Sequence, residues 1–181
     1  VGISGGIDSA VTSTLGALTG MPVLCLELPI HQVEAQVKRG SDHIDWLVER
    51  FSNVERTSVE LTAVFDAYMH ALPPVNENRE MALVNSRARL RMTTLYYFAQ
   101  VRNALVLGTG NKVEDFGVGF FTKYGDGGVD ISPIADLMKS EVYALAQELG
   151  VIQSIQTAPP TDGLWGDDRT DEDQLGATYD E

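Results

Sequence analysis

Six residues near the start of the chain, Ser4-Gly5-Gly6-Ile7-Asp8-Ser9, carry unusual chemistry for so short a stretch. Gly5 and Gly6 let the backbone come close to a ligand with no side chain in the way. Ser4 and Ser9 can donate hydroxyl hydrogen bonds. The stretch stands between an apolar start, Val1-Gly2-Ile3, and a helix-like run. A strand, a glycine turn and a helix present free N–H groups and the positive end of a helix dipole, an arrangement that binds phosphate. Asp8 would repel that phosphate unless a cation lay between them, so its presence implies Mg²⁺. The competing reading is a tight turn in which Asp8 or Ser9 caps the helix. The stretch lacks the lysine of G-x-x-x-x-G-K-[ST] and the spacing of G-x-G-x-x-G, so it is neither of the two common phosphate loops.

Other polar residues fall at telling intervals. Arg87, Arg89 and Arg91 concentrate positive charge in a chain of net charge −13, which points to a small bound anion. Asn85 and Arg89 are four apart on a predicted helix and share one side, near Tyr96. Arg87 and Arg91 sit on the opposite shoulder, and Arg87 reads as a solvated face. Lys139 opens a predicted helix, where a cation is disfavoured, so a local anion is expected beside it. Glu114 follows Thr109 by five residues, and by themselves the two read as a first-turn acid and an N-cap. Asp126 and Asp130 flank Gly127-Gly128 and by themselves read as a turn.

The opening stretch matches the SGGxDS signature of the PP-loop, or N-type, ATP pyrophosphatases. Ala88-Arg89-Leu90-Arg91-Met92, Gly108-Thr109-Gly110-Asn111-Lys112-Val113-Glu114 and Phe120-Phe121-Thr122-Lys123-Tyr124-Gly125-Asp126-Gly127-Gly128 then resemble, in order, the NAD synthetases of that superfamily. Pro160-Thr161-Asp162-Gly163-Leu164 and the segment from Leu175 to Asp180 extend the likeness to the end of the chain. The resemblance implies amidation of deamido-NAD: ATP adenylates the nicotinate carboxylate, pyrophosphate leaves, and ammonia displaces AMP. It implies Asp8, Ser9 and Lys139 as catalytic residues. It implies ATP contacts at Ser4, Gly5, Gly6, Ile7, Asp8, Ser9, Gln32, Thr109, Lys139 and Thr161. It implies Mg²⁺ on Asp8 and Glu114, and deamido-NAD contacts at Asn85, Arg89, Lys123, Asp126 and Asp130. Two positions depart from the pattern. Glu27 stands where some members carry an arginine before the Leu-Pro pair, and Gln174 stands where some carry a glutamate. The alternatives are another PP-loop amidating enzyme, such as GMP synthetase, or a nucleotide-binding module without turnover; the presence of both acids, Asp8 and Glu114, argues against the module. His31 and His43 read as surface or loop histidines.

The elements that must position these residues follow from periodicity. Strands are expected at 1–3, 23–28, 57–61 and 104–107. Helices are expected at 9–19, across Val33 to Phe51 with Gly40 as a weak point, at 62–71, at 77–102 and at 139–149. Residues 117–132 read as a glycine-rich loop or hairpin. Apolar strands separated by helices predict an α/β fold, a doubly wound parallel sheet with helices on both faces, and the resemblance makes it adenine nucleotide alpha hydrolase-like. Ligands of such sheets bind beyond the C-terminal strand ends. Ser4-Gly5-Gly6, Leu28-Pro29 and Gly108-Thr109 are therefore expected to meet.

The 181 residues fit one domain, 1–181. The chain reads as a piece of a longer protein, because Val1 falls within a strand and Glu181 within an acidic run. Residues 161–181 hold eight acids and one arginine, a net of −7, leaving −6 for the rest. So acidic a chain is not a nucleic-acid binder. No apolar run approaches the roughly 20 residues of a membrane span, and no signal peptide is read. Cys25, the only cysteine, lies in an apolar run and is expected in the core, which suits a reducing cytoplasm. The 77–102 helix carries two apolar stripes. One is Met81, Val84, Ala88, Met92, Leu95 and Ala99; the other is Leu83, Leu90 and Tyr97. A second stripe predicts a homodimer built on this helix, unless the chain itself covers it. The nitrogen donor is ammonia, free or supplied by a glutaminase domain outside these residues.

Overall fold

Strand β1, Val23–Glu27, shows how the two layers are assembled. Alternate side chains of a strand point to opposite faces. Val23 and Cys25 enter a cluster with Ala17, Ile44 and Leu47, while Leu24 and Leu26 enter another with Phe65, Leu90 and Leu95. Helices α1 (Ile7–Leu18) and α2 (Glu34–Arg50) thus cover one face, and α3 (Thr62–Ala71) and α4 (Arg79–Arg102) the other. The computed structural model describes residues 1–75, 77–159 and 176.

β1 pairs in parallel with β2, Val54–Ser58, in the register Val23↔Val54 to Glu27↔Ser58. Residues 1–3 run parallel on the other side of β1, through a bridge from Gly2 to Leu26. The parallel, doubly covered sheet is the predicted one. β2 lies three residues earlier than expected. Its Glu55 and Arg56 are exposed because it is an edge strand, and polar edge strands leave little hydrophobic signal. Leu61, read as part of that strand, is buried at the start of α3. The expected 104–107 strand reduces to a parallel bridge between Leu107 and Ile131, with Leu105 exposed.

α1 is buried on nearly all sides. Its second face, with Ile7, Ala10 and Val11, packs against Val142 and Ala146 of α5 (Lys139–Glu148) and against Ile155 of α6 (Gln153–Gln156). Each fully buried side chain of this kind contributes about 1.5–3 kcal/mol, so the helix is held rigidly from both sides. His43 is fully buried in α2, correcting the expectation of a surface or loop position. Its ring stacks on Trp46, and its Nε2 lies 3.0 Å from Ser13 Oγ of α1. His31 is exposed, as expected, and pairs with Asp66. Cys25 is a free, buried thiol, pushed up by burial to about 11.

Two readings of α4 are corrected. Leu83 and Leu90 pack within the chain, against the cluster of Leu61 and Phe65, so that stripe is covered by α3; only Tyr97 of the three is strongly exposed. Arg87 lays its guanidinium over the Phe65 ring, 5.2 Å from the centroid, instead of facing solvent alone. Among the described residues no helix is long and apolar enough to cross a membrane.

Candidate active site

A cleft of about 500 Å³ opens where the three strand exits meet, lined by Ser4 and Gly6, Leu28 and Pro29, and Gly108 and Thr109 among others. The convergence expected of a doubly wound sheet is therefore present.

The opening turn forms the floor. Gly6 is the N-cap of α1, and no side chain caps the helix. Ser9 Oγ donates to Gly6 O (2.9 Å) and lies 3.1 Å from Ser4 Oγ, while Ser4 Oγ accepts from Gly6 N. The competing reading of Asp8 or Ser9 as a cap is thus not realised, and the first-turn amides keep their capacity for an external acceptor. Gly5 takes φ +83°. A Cβ there would lie 2.5 Å from the Gln36 carbonyl oxygen of α2. Its bareness serves the crossing with α2, and Gly40, read as a weak point, lies at that crossing.

Asp8, Glu114 and Lys139 come together from three distant parts of the chain. Lys139 Nζ donates to Asp8 Oδ2 at 2.6 Å and to Glu114 Oε1 at 2.9 Å. The lysine is 2% exposed. Burial alone would favour loss of its proton, but the two carboxylates more than offset this and hold it above the ordinary lysine range. Burial pushes Asp8 upward, with Lys139 opposing. The local anion expected beside Lys139 is this carboxylate pair. Two carboxylate oxygens converging on one cation also fit Mg²⁺, which is held by one or two carboxylates together with substrate phosphates.

Glu114 is delivered by a π-helical turn, Lys112–Val118. Asn111, fully buried, accepts from Val113 N and Glu114 N and donates to Asp8 Oδ1 at 3.1 Å. It joins the two acids, and the reading of residue types missed it. The signal was present: asparagine followed three residues later by glutamate is a helix-start pattern. Asp115, also unassigned from sequence, lines the cleft against the α-carbon of Gly110. Burial, then Asp126, Glu114 and Asp8, push its carboxyl up to about 7.

The opposite wall belongs to α4. Asn85 Oδ1 accepts from Thr122 Oγ1 (2.8 Å), and Asp126 Oδ1 accepts from Thr122 N (3.1 Å), so Thr122 ties both to the glycine-rich loop. Arg89 Nε donates to Lys123 O at 3.1 Å. Arg89 and Lys123 lie outside the cleft lining, as does Asp130, which accepts from Tyr96 Oη and Val106 N. Arg91, placed on the far shoulder by spacing, reaches the cleft: it donates to Leu28 O (2.9 Å) and to Gln32 Oε1 (2.7 Å). Glu27 is buried and held by Arg56 Nη2 at 2.9 Å. Thr161, Gln174 and the motifs around them lie outside the described residues.

The whole chain, residues 1–181, matches the family profile described as NAD synthase. An NH3-dependent NAD⁺ synthetase of Methanococcoides burtonii is 42% identical over 99% of this chain and 66% of its own length. The chain therefore spans about two thirds of that relative. Among solved structures, one described as an NMN synthetase from Francisella tularensis superposes with a TM-score of 0.90 at 37% identity, over 99% of this chain and 72% of that one. An NH3-dependent NAD synthetase from Campylobacter jejuni gives 0.75 at 33%, over 86% and 65%.

Proposed function

The chain belongs to the NAD synthase family, and on that premise we propose that it performs ATP-dependent amidation of deamido-NAD to NAD. ATP transfers its adenylyl group to the nicotinate carboxylate and pyrophosphate leaves. Ammonia attacks the acyl carbon of the mixed anhydride, AMP departs, and the nitrogen loses its extra proton. A carboxylate is a poor acylating agent, and the anhydride supplies the leaving group; the protein's contribution is positioning and charge.

One observation carries this reading: an uncapped helix start carries one of two carboxylates that converge on one cation. The turn from Ser4 to Ser9 receives the polyphosphate, with Gln32 and Thr109 beside the nucleotide. Lys139 and Thr161 meet the phosphates. Asp8 and Glu114 would hold Mg²⁺, which would neutralise polyphosphate charge and favour pyrophosphate as leaving group. Asn85 and Asp126 face the acceptor, and Arg89, Lys123 and Asp130 meet the part of it that extends beyond the cleft. The nitrogen donor is free ammonia, as the relative's name suggests, and the setting is the cytoplasm. The protein works as a homodimer, for which Tyr97 and Val101, exposed one turn apart on α4, offer the apolar surface. Sedimentation of Val101→Asp checks this; an unchanged dimer mass counts against that surface.

The test is pyrophosphate release and NAD formation with deamido-NAD, ATP, Mg²⁺ and ammonium. Nucleotide binding without pyrophosphate would refute the enzyme reading, and turnover with XMP instead would reassign the acceptor. A second acceptor is favoured by the TM-score of 0.90 to a protein described as an NMN synthetase. Amidation that yields NMN takes the mononucleotide acid, so kcat/KM for the two acceptors decides between them.

A further inference from the structure

Lys139 does more in this arrangement than a phosphate contact requires. Its ammonium already satisfies both carboxylates proposed for the metal, at 2.6 and 2.9 Å. Mg²⁺ binds carboxylate oxygens at about 2.0–2.1 Å, so an ion on the same two oxygens would compete with Nζ for them and stand within a few Å of it. Two cations on the same two oxygens would repel one another across the buried gap. Among the described residues there is also no group of three or more His, Cys, Asp or Glu side chains placed to hold a metal. The protein thus offers a divalent ion two carboxylates, and both are engaged.

Charge sharpens the point. Two carboxylates and one ammonium carry −1 between them, with the Asp115 carboxyl a further acid beside them. A divalent ion added while the ammonium stays nearby would repel it and leave a lysine displaced from its partners in a site where it is 2% exposed. An unpaired buried charge is strongly disfavoured. A polyphosphate on the turn of Ser4 to Ser9 removes that obstacle, because its oxygens take up the ammonium and supply the remaining ligands of the ion. Lys139 is the first residue of α5, and its flexible four-carbon stem allows Nζ to move while the backbone stays fixed.

We infer that Lys139 holds the place of the divalent ion between Asp8 and Glu114, and that the ion enters only together with a polyphosphate that draws the ammonium away. Binding of metal and nucleotide is then obligatorily coupled, and metal alone does not charge the site. The inference rests on the reading that Asp8 and Glu114 hold the ion.

Mn²⁺ is the probe, its uptake followed by water-proton relaxation with the full chain and corrected for Mn²⁺ bound to nucleotide in free solution. The wild type is expected to bind Mn²⁺ alone at least about tenfold more weakly than it binds Mn²⁺ in the presence of α,β-methylene ATP. Lys139→Met is expected to bind Mn²⁺ alone about tenfold more tightly than the wild type binds Mn²⁺ alone. Equal affinity of wild type and Lys139→Met for Mn²⁺ alone overturns the inference. Should that variant not fold, the wild-type thermal midpoint decides. A rise with Mn²⁺ alone as large as with Mn²⁺ and analogue together overturns the inference, and a rise only with both upholds it. Asp8→Asn and Glu114→Gln separate the layers: if both keep the analogue-dependent uptake, the underlying metal reading has failed.

Discussion

Gly5→Ala is expected to damage the protein more than any other single methyl group added to the opening turn. Gly5 lies at φ +83°, where an L-residue costs about 1–2 kcal/mol. The new Cβ would stand 2.5 Å from Gln36 O and 3.1 Å from Gly40 N, both backbone atoms of α2. Carbon and oxygen approach to about 3.3 Å even in close contacts, so α2 would have to withdraw by roughly 0.8 Å. Forced overpacking of this kind costs about 1–3 kcal/mol. The sum is roughly 2–5 kcal/mol, a large share of the 5–15 kcal/mol typical of a domain. Gly40→Ala is the control on the other side of the same crossing. Its Cβ would lie 3.4 Å from Gly5 N and 3.5 Å from Ile3 Cγ2, ordinary contact distances, and alanine gains about 0.8–1.0 kcal/mol in helix propensity. Urea unfolding followed by Trp46 fluorescence measures both, with titration of α,β-methylene ATP alongside. Gly5→Ala should lose stability and nucleotide affinity together, and Gly40→Ala should keep both. A Gly5→Ala protein within about 1 kcal/mol of wild type, or a Gly40→Ala equally damaged, would refute the argument that the crossing with α2 shapes the phosphate turn.

Other expectations follow from the same geometry. Asp8→Asn should lower turnover by about a hundredfold or more, the scale for removing one preorganised electrostatic partner; near-normal pyrophosphate release would remove Asp8 from the metal role. Arg91→Ala should raise KM for ATP more than it lowers kcat, because Arg91 holds Gln32 and the Leu28 carbonyl on the wall proposed for the nucleotide; an unchanged KM would dissociate that pair from the site. His43 is held by burial at about 4, below its ordinary 6.5. An unfolded chain takes up that proton as pH falls through 6.5 and the folded chain does not, so stability should drop between pH 6.5 and 4. At about 1.4 kcal/mol per pH unit the loss is roughly 3 kcal/mol. Urea unfolding at pH 7 and pH 5 should show His43→Gln with a flatter dependence, and an unaltered slope would place the proton uptake elsewhere.

Some of this protein could be read from residues in order. The strand-turn-helix at Ser4 to Ser9, proposed to receive phosphate, was legible because its chemistry is local: bare backbone, hydroxyls and an acid at the start of a helix need only neighbouring residues to be understood. The parallel sheet was legible because strands covered on both faces carry continuous apolar runs, as Val23 to Leu26 do. Lys139 announced an anion because a cation at a helix start is unfavourable unless something compensates. What compensates it was decided only in three dimensions, where Asp8, 131 residues away, and Glu114, 25 residues away, close on the same nitrogen. The edge strand β2 was read three residues late because solvent on its open side relaxes the demand for apolar residues, so Val54 to Arg56 left little signal. Of the second stripe of α4, Leu83 and Leu90 proved to be covered within the chain and Tyr97 did not, because periodicity shows that a face is apolar and not what covers it. His43 and Arg91 were misplaced for the same reason: residue type sets what a side chain can do, and only packing sets where it points. The long-range meeting of three strand exits, through which every proposed role acts, is a property of the folded sheet, since no interval in the chain measures the distance between Ser4, Leu28 and Thr109.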